Sequence, residues 1–197
     1  VKKGYNVSII EKNAKAGGRL NQIKKDGFTF DTGPSFFSMS YEFEAFANDC
    51  GISLPFEYIE LDPLYTVNFS NNPNTFFLYK DVKQLASQFR QIEPGFEQKM
   101  EKYLSECGKA FHDTIDIVIK TNAESMAKYL ITLLKVNPAH LPKLFRTFWQ
   151  QIKCHFSSSE VRQIISLVAF FLGRTPFDTS AIYTLLSYTE FVYDGYY

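Results

Sequence analysis

Residues 7–35 read Val7-Ser8-Ile9-Ile10-Glu11-Lys12-Asn13-Ala14-Lys15-Ala16-Gly17-Gly18-Arg19, then LNQIKKDGFTF over 20–30 and Asp31-Thr32-Gly33-Pro34-Ser35. Val7 to Ile10 is a short β-branched run of the kind that forms a buried parallel strand. Before it, Lys2-Lys3-Gly4 reads as a helix end, with cations in the last turn and a glycine cap. Glu11 closes the strand. A helix end, a glycine, an apolar strand and an acidic tip match the second half of a dinucleotide-binding βαβ unit, where the carboxylate accepts hydrogen bonds from a ribose. A Glu that merely ends a strand in a loop is the competing reading. Six residues on, adjacent Gly17 and Gly18 let backbone approach a phosphate, and Arg19 offers a planar fork for pyrophosphate oxygens.

Outward from this stretch, Leu20 to Ile23 and Phe28 to Phe30 flank Lys24-Lys25-Asp26-Gly27, which predicts a hairpin with Asp-Gly in its turn. Gly33-Pro34 ends the second arm, and Ser35 is placed to cap the next helix.

The combination of Glu11, the GGR at 17–19 and the FDTGPS at 30–35 resembles the start of the carotenoid desaturase (phytoene dehydrogenase) family. That family belongs to a larger group of FAD flavoproteins that includes amine oxidases and protoporphyrinogen oxidase. The resemblance implies FAD as cofactor and a lipophilic, phytoene-type polyene as substrate. It places Glu11 at the adenosine ribose, Gly17, Gly18 and Arg19 along the cofactor, and Thr32, Gly33, Pro34 and Ser35 near the flavin ring. No GxGxxG occurs in the 197 residues, so phosphate binding at a helix N-terminus has no sequence here. The chain therefore reads as an internal fragment, expected to be inactive alone. The fold class expected is α/β (α+β overall): a partial Rossmann-like FAD-binding domain over 1–56, then a substrate-binding region over 57–197 with a mixed sheet and helices over 94–192. Amine oxidase and retinol saturase-like enzymes share the 11–35 pattern and are the alternatives, as is a non-catalytic membrane-surface remnant.

Composition narrows the remainder. Lys+Arg and Asp+Glu balance at 21 each, which argues against general nucleic-acid binding. Cys50, Cys107 and Cys154 are too scattered for a disulfide framework or a metal site, and a reducing compartment follows as the default. Aromatic residues reach 17%, so the core is bulky or the protein faces something apolar.

Further along, Tyr41 to Cys50 carries Phe43, Phe46 and Ala47 at helical spacing before Gly51. Tyr65, Val67 and Phe69 alternate ahead of a turn at 71–74 and a second arm over 75–79. Asp81 caps a helix to Ile92. After Glu93-Pro94-Gly95 comes the longest helix, with Phe96, Met100, Tyr103, Cys107, Phe111 and Ile115 on one face, as core or as the wall of an apolar tunnel.

Residues 125–159 contain Lys128, Lys135, Lys143, Arg146 and Lys153 but no acid. With Leu130, Leu134, Phe145, Phe148 and Trp149 interleaved, and Pro138 and Pro142 dividing it into two short helices, the segment suits an anionic membrane interface. A helical subdomain with solvated cations is the alternative. The expectation is a cytoplasmic protein, peripheral (monotopic) on the membrane through 125–159. Ser157 and Glu160 form a capping box for an apolar helix to Leu172, expected to be buried, and Asp178 caps another to about Val192. No Ser-His-Asp arrangement is apparent. Arg174 and Glu190 stand beside apolar helices, as active-site groups or as ordinary charges.

Overall fold

A computed structural model describes residues 2–33, 37–122 and 124–197. The chain is mixed α/β and divides into two compact units, Val1–Ile59 with Tyr196–Tyr197, and Glu60–Gly195.

In the first unit, β1 (Gln22–Lys25) and β2 (Phe28–Asp31) form an antiparallel hairpin in the register Gln22 to Asp31 and Lys25 to Phe28. Asp26 and Gly27 both have positive φ, 52° and 82°. That is the type I′ geometry whose twist matches two antiparallel strands, and Asp-Gly is suited to it. Helix α1 (Ser40–Cys50) stops where expected. Gly51 is left-handed, its N–H reaches the Asn48 carbonyl, and that of Ile52 reaches Ala47, both at 3.0 Å. This is a Schellman closure. Of its expected apolar face only Ala47 is buried, while Phe43 and Phe46 are exposed.

The expected strand at Val7–Ile10 does not form. The segment is irregular, and Ile9 and Ile10 are 89% and 96% exposed. A parallel strand needs pairing strands and cover on both faces, whereas the described residues of this unit supply only the antiparallel hairpin. The expected helix end at Lys2-Lys3 is likewise a turn, although Gly4 is left-handed at φ 83°. Ser35, expected to cap a helix, lies outside the described residues.

In the second unit, β3 (Tyr65–Phe69) and β4 (Asn72–Leu78) pair antiparallel with an irregularity at Asn68/Phe69. The mixed sheet expected here is this hairpin, because the nearby chain goes to helices. The Asp81 carboxylate accepts from the N–H groups of Lys83 (2.8 Å) and Gln84 (3.0 Å) and starts α2 (Val82–Phe89). The Gln88 side chain fastens that helix to β4, accepting from the Phe77 N–H (2.8 Å) and donating to its carbonyl (2.6 Å).

Helix α3 (Phe96–Thr114), continued by a π turn over Ile115–Ile119, is the spine of the unit. All six stripe residues, from Phe96 to Ile115, are buried, so the stripe is core. An aromatic series crosses it: Phe76 on Phe89 (5.5 Å between ring centres), Phe89 on Phe96 (4.8 Å), Phe96 on Phe156 (5.7 Å) and Phe156 on Tyr103 (5.8 Å). Close-packed interiors of this kind leave little room for a tunnel.

The 125–159 segment forms three helices where two were expected: α4 (Met126–Leu133), α5 (Leu141–Leu144) and α6 (Phe148–Lys153). Pro142 sits in the first turn of α5, where its missing N–H costs nothing, so it starts a helix there. Then come α7 (Ser159–Ile165), a 3₁₀ stretch over Ser166–Leu172, a 3₁₀ turn over Ala181–Thr184, α8 (Leu185–Tyr188) and a π turn over Thr189–Tyr193. The cap of α7 is Ser158, one residue later than the expected Ser157. The reason is Glu93, whose Oε2 accepts from the N–H groups of Ser157 (2.7 Å) and Ser158 (2.6 Å). Burial also stops short of expectation, since Phe170, Phe171 and Leu172 are exposed. Ser180, not Asp178, caps the next turn, because Asp178 is engaged by the Thr175 hydroxyl at 2.7 Å.

Helices α3 and α8 touch at Gly108, where a Cβ would stand 2.7 Å from the Tyr188 ring. The two ends of this unit meet, with Gly195 closing on Glu60 and Lys80. In the first unit, Phe37 and Tyr197 exchange backbone hydrogen bonds at 2.9 Å in both directions.

Candidate functional site

The first unit builds its loop from local forces. Glu11 is exposed, and its carboxylate accepts from the Asn13 N–H at 2.8 Å. The chain then turns at Gly17 (φ 123°) and Gly18 (φ 56°), with the Leu20 N–H on the Gly17 carbonyl at 2.9 Å. A Cβ at Gly17 would sit 2.5 Å from the Leu20 carbonyl oxygen, so this turn requires glycine. The end of β2 folds back onto the loop. Thr32 donates both its N–H and its hydroxyl to the Asn21 carbonyl, each at 2.9 Å. A Cβ at Gly33 would lie 2.1 Å from the Arg19 carbonyl oxygen.

The structure thus joins two groups that are twelve or more positions apart in sequence, Gly17–Arg19 and Thr32–Gly33. Gly18 faces open space, and the Arg19 side chain is exposed. Bare backbone with open space, an exposed guanidinium fork and an exposed carboxylate suit the diphosphate and ribose of a dinucleotide. These residues fit such a group. Pro34 and Ser35 lie outside the described residues.

In the second unit the chemistry is buried. Glu190, on the π turn, is 1% exposed. Its Oε1 accepts from the Tyr65 hydroxyl at 2.7 Å, while Oε2 has no hydrogen-bond partner among the described residues. Burial pushes this carboxyl up to about 8, against a smaller downward pull from Tyr65. Beside it, the Tyr103 and Ser187 hydroxyls meet at 2.8 Å, and burial pushes the Cys107 thiol up to about 12, which leaves it unreactive. Glu190 went unassigned in the sequence. The available signal was its isolation, as the single charge in the apolar, tyrosine-rich run over 179–193.

Each histidine is satisfied by a neighbour: His140 by Asp113 (2.8 Å), His155 by Glu106 (3.2 Å) and His112 by Tyr188 (3.2 Å). Burial holds the His155 imidazole below its ordinary value despite Glu106. Among the described residues no group of three His, Cys, Asp or Glu could hold a metal ion. A cleft of about 330 Å³ is lined by Glu60, Asp62, Tyr79, Lys80, Asp81 and Gln84 among others. Its carboxylates make it a poor seat for a hydrocarbon.

Helix α4 buries none of its residues, so Met126, Leu130 and Ile131 face outward with Lys128. Among the described residues, no helix is long and apolar enough to cross a membrane.

The sequence profile of the flavin containing amine oxidoreductases matches residues 1–191. A carotenoid 3,4-desaturase of Haloarcula japonica is 29% identical over 98% of this chain and 39% of its own length. A 4,4'-diapolycopen-4-al dehydrogenase of Metabacillus indicus is 26% identical over 100% of this chain and 40% of its own. A phytoene desaturase of Fusarium fujikuroi is 28% identical over 96% and 34%. The chain spans about two-fifths or less of the length of these relatives. With the profile covering nearly the whole sequence, and a glycine loop and turn suited to a dinucleotide, the chain belongs to the family of flavin containing amine oxidoreductases.

Proposed function

We propose that this chain is part of an FAD-dependent desaturase acting on a carotenoid polyene. The observation that carries this reading is the extent of the likeness to carotenoid enzymes. It runs through the helical unit as well as the glycine loop, whereas a shared cofactor alone would account only for the loop. Residues 1–56 serve the cofactor and 57–197 the substrate. Glu11 holds the ribose hydroxyls, Gly17 and Gly18 admit the diphosphate to the backbone, and Arg19 pairs with it. Thr32, Gly33, Pro34 and Ser35 lie toward the ring system.

When bound, FAD supplies the two-electron acceptor for desaturation. The protein orients the polyene and excludes water. Apolar, aromatic side chains offer a hydrocarbon dispersion contacts. Substrate of this kind resides in lipid, and the basic stretch over 125–159, whose helix α4 leaves Met126, Leu130 and Ile131 exposed, provides peripheral membrane contact. The 197 residues contain no GxGxxG loop, so alone they hold flavin weakly.

The test is to express the complete gene that contains the coding sequence of these residues in a bacterial host that accumulates phytoene, and to follow pigments by chromatography. Products with lengthened conjugation are expected. Gly33→Ala, which drives a Cβ into the Arg19 backbone, should cut flavin content at least about tenfold while circular dichroism of the protein stays unchanged. Oxidation of an amine with release of peroxide, and no polyene product, would overturn the reading.

A further inference from the structure

The turn after Gly173 is bound to the start of α6 along its length. Phe148 N–H donates to the Thr179 carbonyl (2.7 Å), Trp149 N–H to Pro176 (2.9 Å) and Ala181 N–H to Arg146 (2.9 Å). Thr147 and Ser180 form an antiparallel bridge. The 166–172 stretch packs on the same helix. Local backbone forces therefore hold two separate sequence segments as one rigid surface.

That surface is aromatic and outward-facing. Trp149 meets Phe177 with ring centres 5.0 Å apart. Phe145 is 88% exposed, Phe177 61%, Phe170 57% and Phe171 53%. Rings of this size left in water across neighbouring segments mark a contact surface. Its charge selects the partner. Arg146, Lys153 and Arg174 are exposed around it and residues 161–177 contain no acid, so three cations stand against the single carboxylate of Asp178 at the edge, which the Thr175 hydroxyl keeps ionised. Aromatic rings bordered by cations match the headgroup zone of an anionic bilayer, where an amphipathic ring has one side in acyl chains and a cation meets phosphate.

We propose that Phe145, Trp149, Phe177 and Phe170–Leu172 form a second lipid-contact surface, which seats the helical unit on an anionic bilayer at a site separate from α4. It rests on the membrane contact proposed above and adds to it a segment beyond 159.

Trp149 is the only tryptophan in the chain, so its fluorescence reports on this surface alone. The full chain is titrated with phosphatidylcholine vesicles, with and without phosphatidylglycerol, and with vesicles carrying brominated acyl chains. The expected result is a blue shift with phosphatidylglycerol vesicles, quenching by brominated lipid, and partition at least about tenfold weaker after Phe170→Ser, Phe171→Ser and Phe177→Ser together. The wild-type fluorescence decides the matter even if that variant misfolds. Vesicle binding with Trp149 emission unshifted and unquenched would overturn this surface and leave contact through α4 standing; Leu130→Ser with Leu134→Ser would then abolish the binding. No binding to any vesicle would overturn both. A blue shift that grows with protein concentration in the absence of lipid would assign the surface to a second copy of the chain.

Discussion

Replacing Glu93 with alanine should destabilise the helical unit by about 3–5 kcal/mol, read as a lower denaturant midpoint with an unchanged slope. Glu93 is fully buried. One carboxylate oxygen pairs with Lys99, and the other accepts the N–H groups of Ser157 and Ser158. Without it, two backbone donors lose their acceptor, each orphaned donor costing about 1–3 kcal/mol. Removing the cation should cost less. Lys99 is one-third exposed and can extend into water, but Lys99→Met leaves the buried Glu93 carboxylate with backbone N–H groups alone, so it too should be destabilising, by about 1–3 kcal/mol. Burial pushes the Glu93 carboxyl up, but Lys99 and the N–H groups of Ser158 and Ser157 outweigh it and hold the group below its ordinary 4.5. Its contribution is thus present above pH 4.5 and is lost as pH falls through the lowered folded value. The alanine variant should lack this acid-side loss. Equal midpoints for wild type and Glu93→Ala would mean that Glu93 does not hold the 157–158 backbone in place.

Glu190 should produce the opposite pH dependence. Its carboxyl rises from an ordinary 4.5 to about 8 in the folded chain, because a buried carboxylate with one phenolic donor is poorly solvated. The folded state therefore retains a proton that the unfolded state has released. The resulting stability is complete below pH 4.5 and is lost as pH climbs toward about 8. At 1.36 kcal/mol per pKa unit, the loss across that window is on the order of 4–5 kcal/mol. Glu190→Gln keeps an acceptor for Tyr65 and has no proton to release. Its stability should stay flat between pH 4.5 and 8, falling below wild type at the acidic end and exceeding it at the alkaline end. Thermal melting of both proteins at intervals of pH would reveal the crossing. Parallel curves would mean that Glu190 is charged in the fold.

These two carboxyl groups also mark where sequence reading succeeds and where it stops. The Asp26-Gly27 turn, the Gly51 closure, the Asp81 cap and the Phe96-to-Ile115 stripe were all legible, because each depends on residues within one or a few turns of chain. The cap of α7 shifted by one residue because Glu93, more than sixty positions upstream, claims the neighbouring N–H groups. Val7–Ile10 carries every local mark of a strand but lacks strands to pair with among the described residues. Within the candidate site, the residue types at Glu11, Gly17, Gly18 and Arg19 were readable. The approach of Gly33 to the Arg19 backbone was not, since it follows from a hairpin folding back over its own loop. Burial of Glu190 depends on β3 lying across the π turn, a pairing 125 residues apart in sequence.

The closure of the helical unit at Glu60 and Gly195 has a consequence for how such chains change over time. A module whose two ends meet at one point occupies no more of its host than a surface loop does. It can lengthen, shorten or be exchanged without altering the spacing between the flanking segments, here Ile59 and Tyr196. Residues 60–195 can then vary under their own selection, while the glycine loop and its turn keep their own constraints. Exchange of this module between relatives, cut at those two positions, is the experiment that connectivity invites.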